Sequence, residues 1–163
     1  MIREQSFAPV ADERTRLLIL GSLPGAKSLA EQQYYANPRN AFWALIGEVI
    51  DVDLSTMPYP QRLETLLAHG VGLWDVIADA ERKGSLDSAI RAPRPHDLAV
   101  QASSLPALSA LAFNGGTAAK IGLRQLGAGS RRYRTLTLLS SSGACAVRAG
   151  VKRADWMRLK EHL

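Results

Sequence analysis

Leu17-Leu18-Ile19-Leu20 carries no polar residue on either side, is preceded by charge and is stopped by Gly21. A run this short and this apolar reads as a strand buried on both faces rather than one with a wet side. Val71-Gly72-Leu73-Trp74, Leu108 to Phe113 and Leu136 to Leu139 repeat the pattern. Helical signals fall around them. Asn40 to Ile50 places Phe42, Leu45, Ile46 and Val49 at helical spacing, and Pro60 to His69 opens on a proline and closes at Gly70. Asp75 to Lys83 also reads as helix, as does Thr117 to Leu126 before Gly127. Val151 to Leu163 is expected as an amphipathic helix with Val151, Trp156 and Leu159 on one face. Arg91 to His96, with two prolines, reads as a loop. Strands alternating with helices predict an α/β chain: three layers, α/β/α, around a central four-stranded parallel sheet.

The 163 residues suit one domain, 1–163, and hold no repeat, low-complexity tract or linker. Strands one, three and four each run into a polar or glycine-rich loop, and open parallel sheets form their ligand crevice at the carboxyl ends of their strands. Gly21 to Asn40, Asn114 to Thr117 and Ser140 to Ala146 are therefore expected to face one cleft.

The first of these loops holds the densest chemistry, GSLPGAKSLAEQQYYANPRN. Gly21, Pro24 and Gly25 can turn the chain tightly and expose bare backbone to a planar ligand, or simply connect a strand to a helix. The loop is neither a phosphate-binding Gly-Lys-Ser/Thr loop nor a GxGxxG dinucleotide fingerprint. Tyr34 and Tyr35 stand near Asn37, Arg39 and Asn40, a set suited to stacking and rimming a flat heterocycle, although one of the two tyrosines is expected to pack in the core. Phe42 and Trp43 read as helix core.

One cysteine, Cys145, excludes an intramolecular disulfide framework and a thiolate metal site, and reads as a packing residue. His69, His96 and His162 have no ligand spacing, so no metal and no cofactor are expected. The first residues carry charge throughout and no apolar signal core, and no segment reaches the length of a membrane span, so a cytoplasmic, nucleoid-associated protein is expected. Net charge is +5, and cations gather late, as Arg131, Arg132, Arg134, Arg148, Lys152, Arg153, Arg158 and Lys160. Such a set suits a polyanion, because each phosphate neutralised releases counterions, or it is a solvated surface. Asp75 and Asp87 could each activate water or cap a helix, and the cap leads for both.

Taken together, the run from Gly21 to Trp43, Gly72-Leu73-Trp74-Asp75-Val76-Ile77, Arg82 to Ser88, Phe113-Asn114-Gly115 and Leu139 to Ala144 resemble the uracil-DNA glycosylase superfamily. The similarity is greatest to its hypoxanthine-DNA glycosylase branch, with the mismatch-specific uracil/thymine branch next. The resemblance implies a monofunctional enzyme that flips a deaminated base, hypoxanthine or uracil, out of double-stranded DNA and hydrolyses its N-glycosidic bond. No covalent lysine intermediate is expected, since Lys27 is the only lysine in the three cleft loops. The mismatch-specific branch keeps its catalytic asparagine where this chain has Leu23, which cannot position water. The hypoxanthine branch uses the asparagine of a His-Pro-Arg-Asn run, which matches Asn40, with Asn37 standing in place of the histidine. Asn40 is thus the expected catalytic residue, or a helix N-cap.

By the same resemblance Tyr35 stacks on the base and Asn114 reads its edge, unless Asn114 only forms the turn before Gly115. Ser22, Leu23 and Gly25 are expected along the base. Ser140, Ser141, Ser142, Gly143 and Ala144 match the loop that grips phosphates and fills the gap left by the flipped nucleotide, and Arg148 is a candidate cation behind it. A monomer is expected. The alternatives are a non-catalytic nucleotide- or damaged-DNA-binding module of the same fold, a mismatch-specific glycosylase, and a hydrolase of free nucleotides.

Overall fold

A computed structural model describes residues 2–163. In chain order the elements are β1 (Arg3–Gln5), β2 (Leu17–Gly21), α1 (Ala26–Glu31), α2 (Phe42–Ile50), α3 (Tyr59–Ala68), β3 (Val71–Asp75), β4 (Ile77–Glu81), β5 (Arg91–Pro95), α4 (Leu98–Ser103), β6 (Ala110–Asn114), α5 (Gly116–Leu126), β7 (Arg134–Leu138) and α6 (Ala149–Met157). Short 3₁₀ turns occupy Asp87–Ala89, Gly127–Arg132 and Arg158–His162.

The four apolar runs form one parallel sheet in the order β3-β2-β6-β7. β2, β3 and β6 are buried along their whole length. Side chains alternate across a strand, so β2 feeds two cores. Leu17 and Ile19 join Leu73, Ala112, Phe42, Leu66 and Trp156 on the face covered by α2, α3 and α6. Leu18 and Leu20 join Phe113, Leu98, Ala102 and Ala118 on the face covered by α4 and α5. The architecture is the expected α/β/α arrangement, with strand ends displaced by one or two residues.

A second sheet was not expected from the sequence. β1, β4 and β5 form an antiparallel sheet in the order β1-β4-β5. Residues 77–81 are therefore strand rather than helix, and 91–95 are strand rather than loop. Ile77-Ala78-Asp79-Ala80-Glu81 has helix-compatible composition, but charges on its neighbours decide its state: Arg3 pairs with Asp79 and Glu81, and Arg94 with Asp79. Such cross-strand pairs support a ladder. Pro93 and Pro95 fit because β5 is an edge strand, where a missing N–H breaks no interior ladder.

At the C-terminal end, α6 buries Lys152 and Trp156, and Leu159 follows in the 3₁₀ turn, whereas Val151 is 47 % exposed. The inward face thus runs through residues 152, 156 and 159, at helical spacing, and excludes Val151. The Lys152 stem takes its place, with Nζ donating to the Ser142 carbonyl (3.2 Å).

Candidate active site

β2, β3 and β6 end side by side at Gly21, Asp75 and Asn114, with Gly21 opposite Asp75 in the ladder. A cavity of about 370 Å³ opens over these ends, within the range usual for small-molecule sites. Its walls come from residues 21–28 and 85–88, from Tyr34, Tyr35, Asn37 and Asn40, and from residues 140–142, 144 and 145, together with Asp75 and Asn114. The expected loops do converge, although Thr117 is not on the wall. A further wall, Ser85 to Ser88, was not anticipated.

Both tyrosines reach the cavity wall, and Tyr34 is the one that also packs in the core. Tyr34 is buried, and its hydroxyl donates to the Ala8 carbonyl (2.8 Å). Tyr35 has φ +55° and stacks on Phe42, with ring centroids 3.9 Å apart and 13° between planes. Trp43 Nε1 donates to its carbonyl (3.1 Å), which fixes this unusual backbone from behind. One face of the Tyr35 ring is thereby covered, and the other is the one a planar ligand could use.

Asn40 lies on the cavity wall just before α2, and its Oδ1 accepts the Phe42 N–H (2.9 Å). Asn37 Oδ1 accepts the Arg39 N–H (3.0 Å), and its carbonyl accepts the Asn40 N–H (2.9 Å). The N-cap position itself falls on Ala41, so Asn40 stands one residue before it, and its bond to Phe42 is a side-chain turn at the helix entrance rather than the expected cap. The Phe42 bond uses one lone pair and fixes the amide plane, and an amide oxygen has a second.

Asn114 is buried at 8 % exposure and tied inward. Its Oδ1 accepts the Ser141 N–H (2.9 Å), and its Nδ2 donates to Ser141 Oγ (2.8 Å) and the Tyr35 hydroxyl (3.3 Å). Ser141, only 1 % exposed, also accepts the Ala41 N–H through its carbonyl (2.9 Å). It builds the loop and does not face outward, unlike the exposed Gly143 and Ala144. Ser140 Oγ accepts the Ser142 N–H and Ser142 Oγ accepts the Ala144 N–H, both at 3.2 Å, which shapes the loop tip. A Cβ on Gly143 would meet the Arg39 carbonyl oxygen at 3.0 Å, so glycine lets this loop close on the Asn37–Asn40 turn.

On the opposite wall Leu23 packs into the core and Ser22 Oγ donates to Asp87 Oδ1 (2.6 Å). The Gly25 Cβ position has Ser85 at 3.4 Å. Neither carboxylate acts as the expected helix cap: Asp75 ends a strand, and the Asp87 side chain holds Ser22. Asp75 is 4 % exposed, and its Oδ2 is buried with no hydrogen-bond partner among the described residues. Burial, then the charge of Asp87, pushes its carboxyl up to about 7, with Arg82 pulling the other way. Arg82 is itself committed to Glu4 (Nε–Oε1 3.0 Å) and to the Pro24 carbonyl. Of the two roles open to Asp75 in the sequence, helix cap and group acting on water, its place at the end of β3 leaves the second.

The cationic cluster does not gather at this cavity. Arg134 starts β7, so Arg131, Arg132 and Arg134 lie at the opposite end of the sheet from the strand ends that form the site. Arg153, Arg158 and Lys160 pair with Glu48, Asp155 and Asp51. Arg148 is exposed before α6 and is not on the wall, whereas Lys27 is on it and pairs with Glu31 (3.1 Å). Leu86, 55 % exposed, stands at the cavity among serines and aspartate. His96 stacks on Trp74 (4.1 Å between centroids), a packing role. Among the described residues no group of three or more His, Cys, Asp or Glu could hold a metal ion, and no helix is long and apolar enough to cross a membrane.

Comparison with known proteins adds to this geometry. The family model of the uracil DNA glycosylase superfamily matches residues 8–160. A hypoxanthine DNA glycosylase of Methanosarcina barkeri is 38 % identical over 157 residues, 95 % of this chain and 96 % of that one. One from Methanosarcina acetivorans is 38 % identical over 159 residues, covering 98 % and 99 %. The solution NMR structure of a candidate uracil DNA glycosylase from Methanosarcina acetivorans superposes with a TM-score of 0.86 at 38 % identity, covering 99 % of this chain and 98 % of that one.

Proposed function

The chain belongs to the uracil DNA glycosylase superfamily, and from that premise we propose that it is a monofunctional DNA glycosylase that removes hypoxanthine from double-stranded DNA. The observation that carries this reading is the convergence of the Asn40 amide and the Tyr35 ring on one cavity at the strand ends. The relatives named as hypoxanthine DNA glycosylases support the choice of base.

A base cannot reach this cavity inside a duplex, so it must be extruded. Extrusion costs a few kcal/mol and is cheapest where the base is mispaired or damaged, which favours a deaminated base over its neighbours. Inside, the base stacks on the face of Tyr35 opposite Phe42. Asn40, its plane held by the Phe42 N–H, directs a water at C1′ of the sugar through the remaining lone pair of Oδ1. Asn114 acts from behind, holding the Tyr35 hydroxyl and the Ser141 loop. Outside, Ser140, Ser142 and the loop amides grip phosphates, and Gly143, Ala144 and Leu86 are the small or apolar groups that can fill the vacated stack.

Bond cleavage leaves electron density on the base and positive charge on the sugar, so fixed donors at the base lower the barrier. Asparagine suffices for the water because the sugar cation is a strong electrophile.

The test is a panel of labelled duplexes carrying hypoxanthine, uracil, xanthine or thymine opposite guanine, resolved on a denaturing gel after alkali. Cleavage at hypoxanthine is expected to exceed the others. No cleavage at protein excess with binding retained would replace the enzyme by a binding module, the reading that Leu23 favours by its lack of a polar group. Faster action on free nucleosides than on DNA would make it a nucleoside hydrolase.

A further inference from the structure

Asp75 is the group in the cavity for which positioning water and stacking the base provide no task. Its carboxyl lies over the bare backbone of Gly21, where a Cβ would stand 2.5 Å from Oδ1 and 3.1 Å from the Tyr35 hydroxyl. The acid therefore occupies the place of a side chain on the cavity floor, beside the ring assigned to the base. Its Oδ2 has no donor among the described residues.

The charged groups that face it do not on balance compensate a negative charge there, because the pull of Arg82 is smaller than the push of Asp87. Asp87, from the loop after Arg82, adds a second one. Arg82 is the cation of the neighbourhood, and Glu4 and the Pro24 carbonyl occupy its guanidinium. Tyr34 directs its proton to the Ala8 carbonyl, and burial keeps both Tyr34 and Tyr35 neutral. With a carboxyl titrating at about 7, a large share of molecules carry the proton at neutral pH.

We propose that Asp75 is the general acid of base release, delivering its proton to N7 of a flipped hypoxanthine as the N9–C1′ bond breaks. This rests on the glycosylase reading above. N7 is an acceptor that every purine exposes and uracil lacks. The bonding pair leaves C1′ with N9, and the new N7–H bond lets the base depart neutral. Water adds to the sugar cation, its surplus proton passes to solvent, and the Asp75 carboxylate recovers a proton from solvent. Consumption and return of one proton balance, and no other reactant is needed. The acid thereby favours purine release over pyrimidine release.

The test compares wild type with Asp75→Asn under single-turnover conditions on duplexes carrying hypoxanthine, 7-deazahypoxanthine or uracil. Asparagine fills the same space and cannot give up a proton. On hypoxanthine the variant is expected to be about 100-fold slower, the usual scale of a lost general acid. The wild-type rate should fall with pH above about 7 as the acid ionises, and the variant rate should not. The two proteins should match on 7-deazahypoxanthine, and on uracil if it is released at all. Equal rates on hypoxanthine, or an equal loss on 7-deazahypoxanthine, would overturn the acid role while leaving the glycosylase intact. Wild type releasing 7-deazahypoxanthine as fast as hypoxanthine would overturn it even if the variant failed to fold. A wild-type protein that releases no base from any duplex would overturn the glycosylase reading, and the acid role with it.

Discussion

Asn114 and Ser141 hold each other through two hydrogen bonds, the Ser141 N–H to Asn114 Oδ1 at 2.9 Å and Asn114 Nδ2 to Ser141 Oγ at 2.8 Å. Asn114 ends β6 and Ser141 lies beyond β7, so the pair fastens the serine loop to the sheet. Asn114→Ala would strand a buried N–H and hydroxyl. It should destabilise the fold by about 2 kcal/mol in urea unfolding, the scale of an orphaned buried donor. It should also slow base release through a displaced loop and Tyr35. Unchanged stability would mean that the loop is held by other contacts.

Gly21→Ala tests the cavity floor. The added Cβ meets Asp75 Oδ1 at 2.5 Å, and Asp75 is buried, so either the carboxyl or the strand end must shift. Overpacking of this kind costs about 1–3 kcal/mol, and base release should fall further than stability alone explains. Thermal unfolding and single-turnover rates measured on one preparation separate the two effects.

The buried acid also ties stability to pH. The folded chain holds the Asp75 proton up to about 7, whereas the ordinary value is 3.8, so between these limits the folded state binds more protons than the unfolded one. Stability from this group is therefore lost as pH rises through that window, at no more than about 1.4 kcal/mol per pH unit, and the loss levels off above it. Melting curves between about pH 5 and 8 should show a smaller decline for Asp75→Asn than for wild type, since the amide has no charge to desolvate. Parallel declines would show that Asp75 is solvated in the folded protein.

Where the sequence was informative, a single physical cause dominated. Leu17 to Leu20 has no polar side to turn to water, so its burial could be read directly. The loop residues around Gly25, Tyr35 and Asn40 were found because a parallel sheet opens at its carboxyl ends. Residues 77–81 were misread because Ala, Asp and Glu leave helix open, and the deciding partners, Arg3 and Arg94, are distant in sequence. Val151 was misplaced because a lysine stem can line a core as well as a valine. Neither the inward commitment of Asn114 nor the orphaned Oδ2 of Asp75 leaves a local trace, since both depend on which loops meet.

Leu86 is a large apolar side chain left 55 % exposed at the cavity. Its removal should leave stability unchanged and hinder only the step that opens the duplex. Leu86→Ala is expected to slow release from duplex by about tenfold, within the few kcal/mol that extrusion costs, and to leave release from a single strand near wild type. Equal slowing on both would place its contribution inside the pocket.

The central claim is that Asn40 directs the water that replaces a flipped hypoxanthine. Single-turnover release of hypoxanthine from a duplex, by wild type and by Asn40→Ala, tests it most directly. Wild type should release the base and leave an alkali-labile site, and the variant should be at least about 100-fold slower while still binding the duplex, the scale expected for a lost water-directing group. Release by Asn40→Ala at the wild-type rate, or no release by wild type, would contradict the claim.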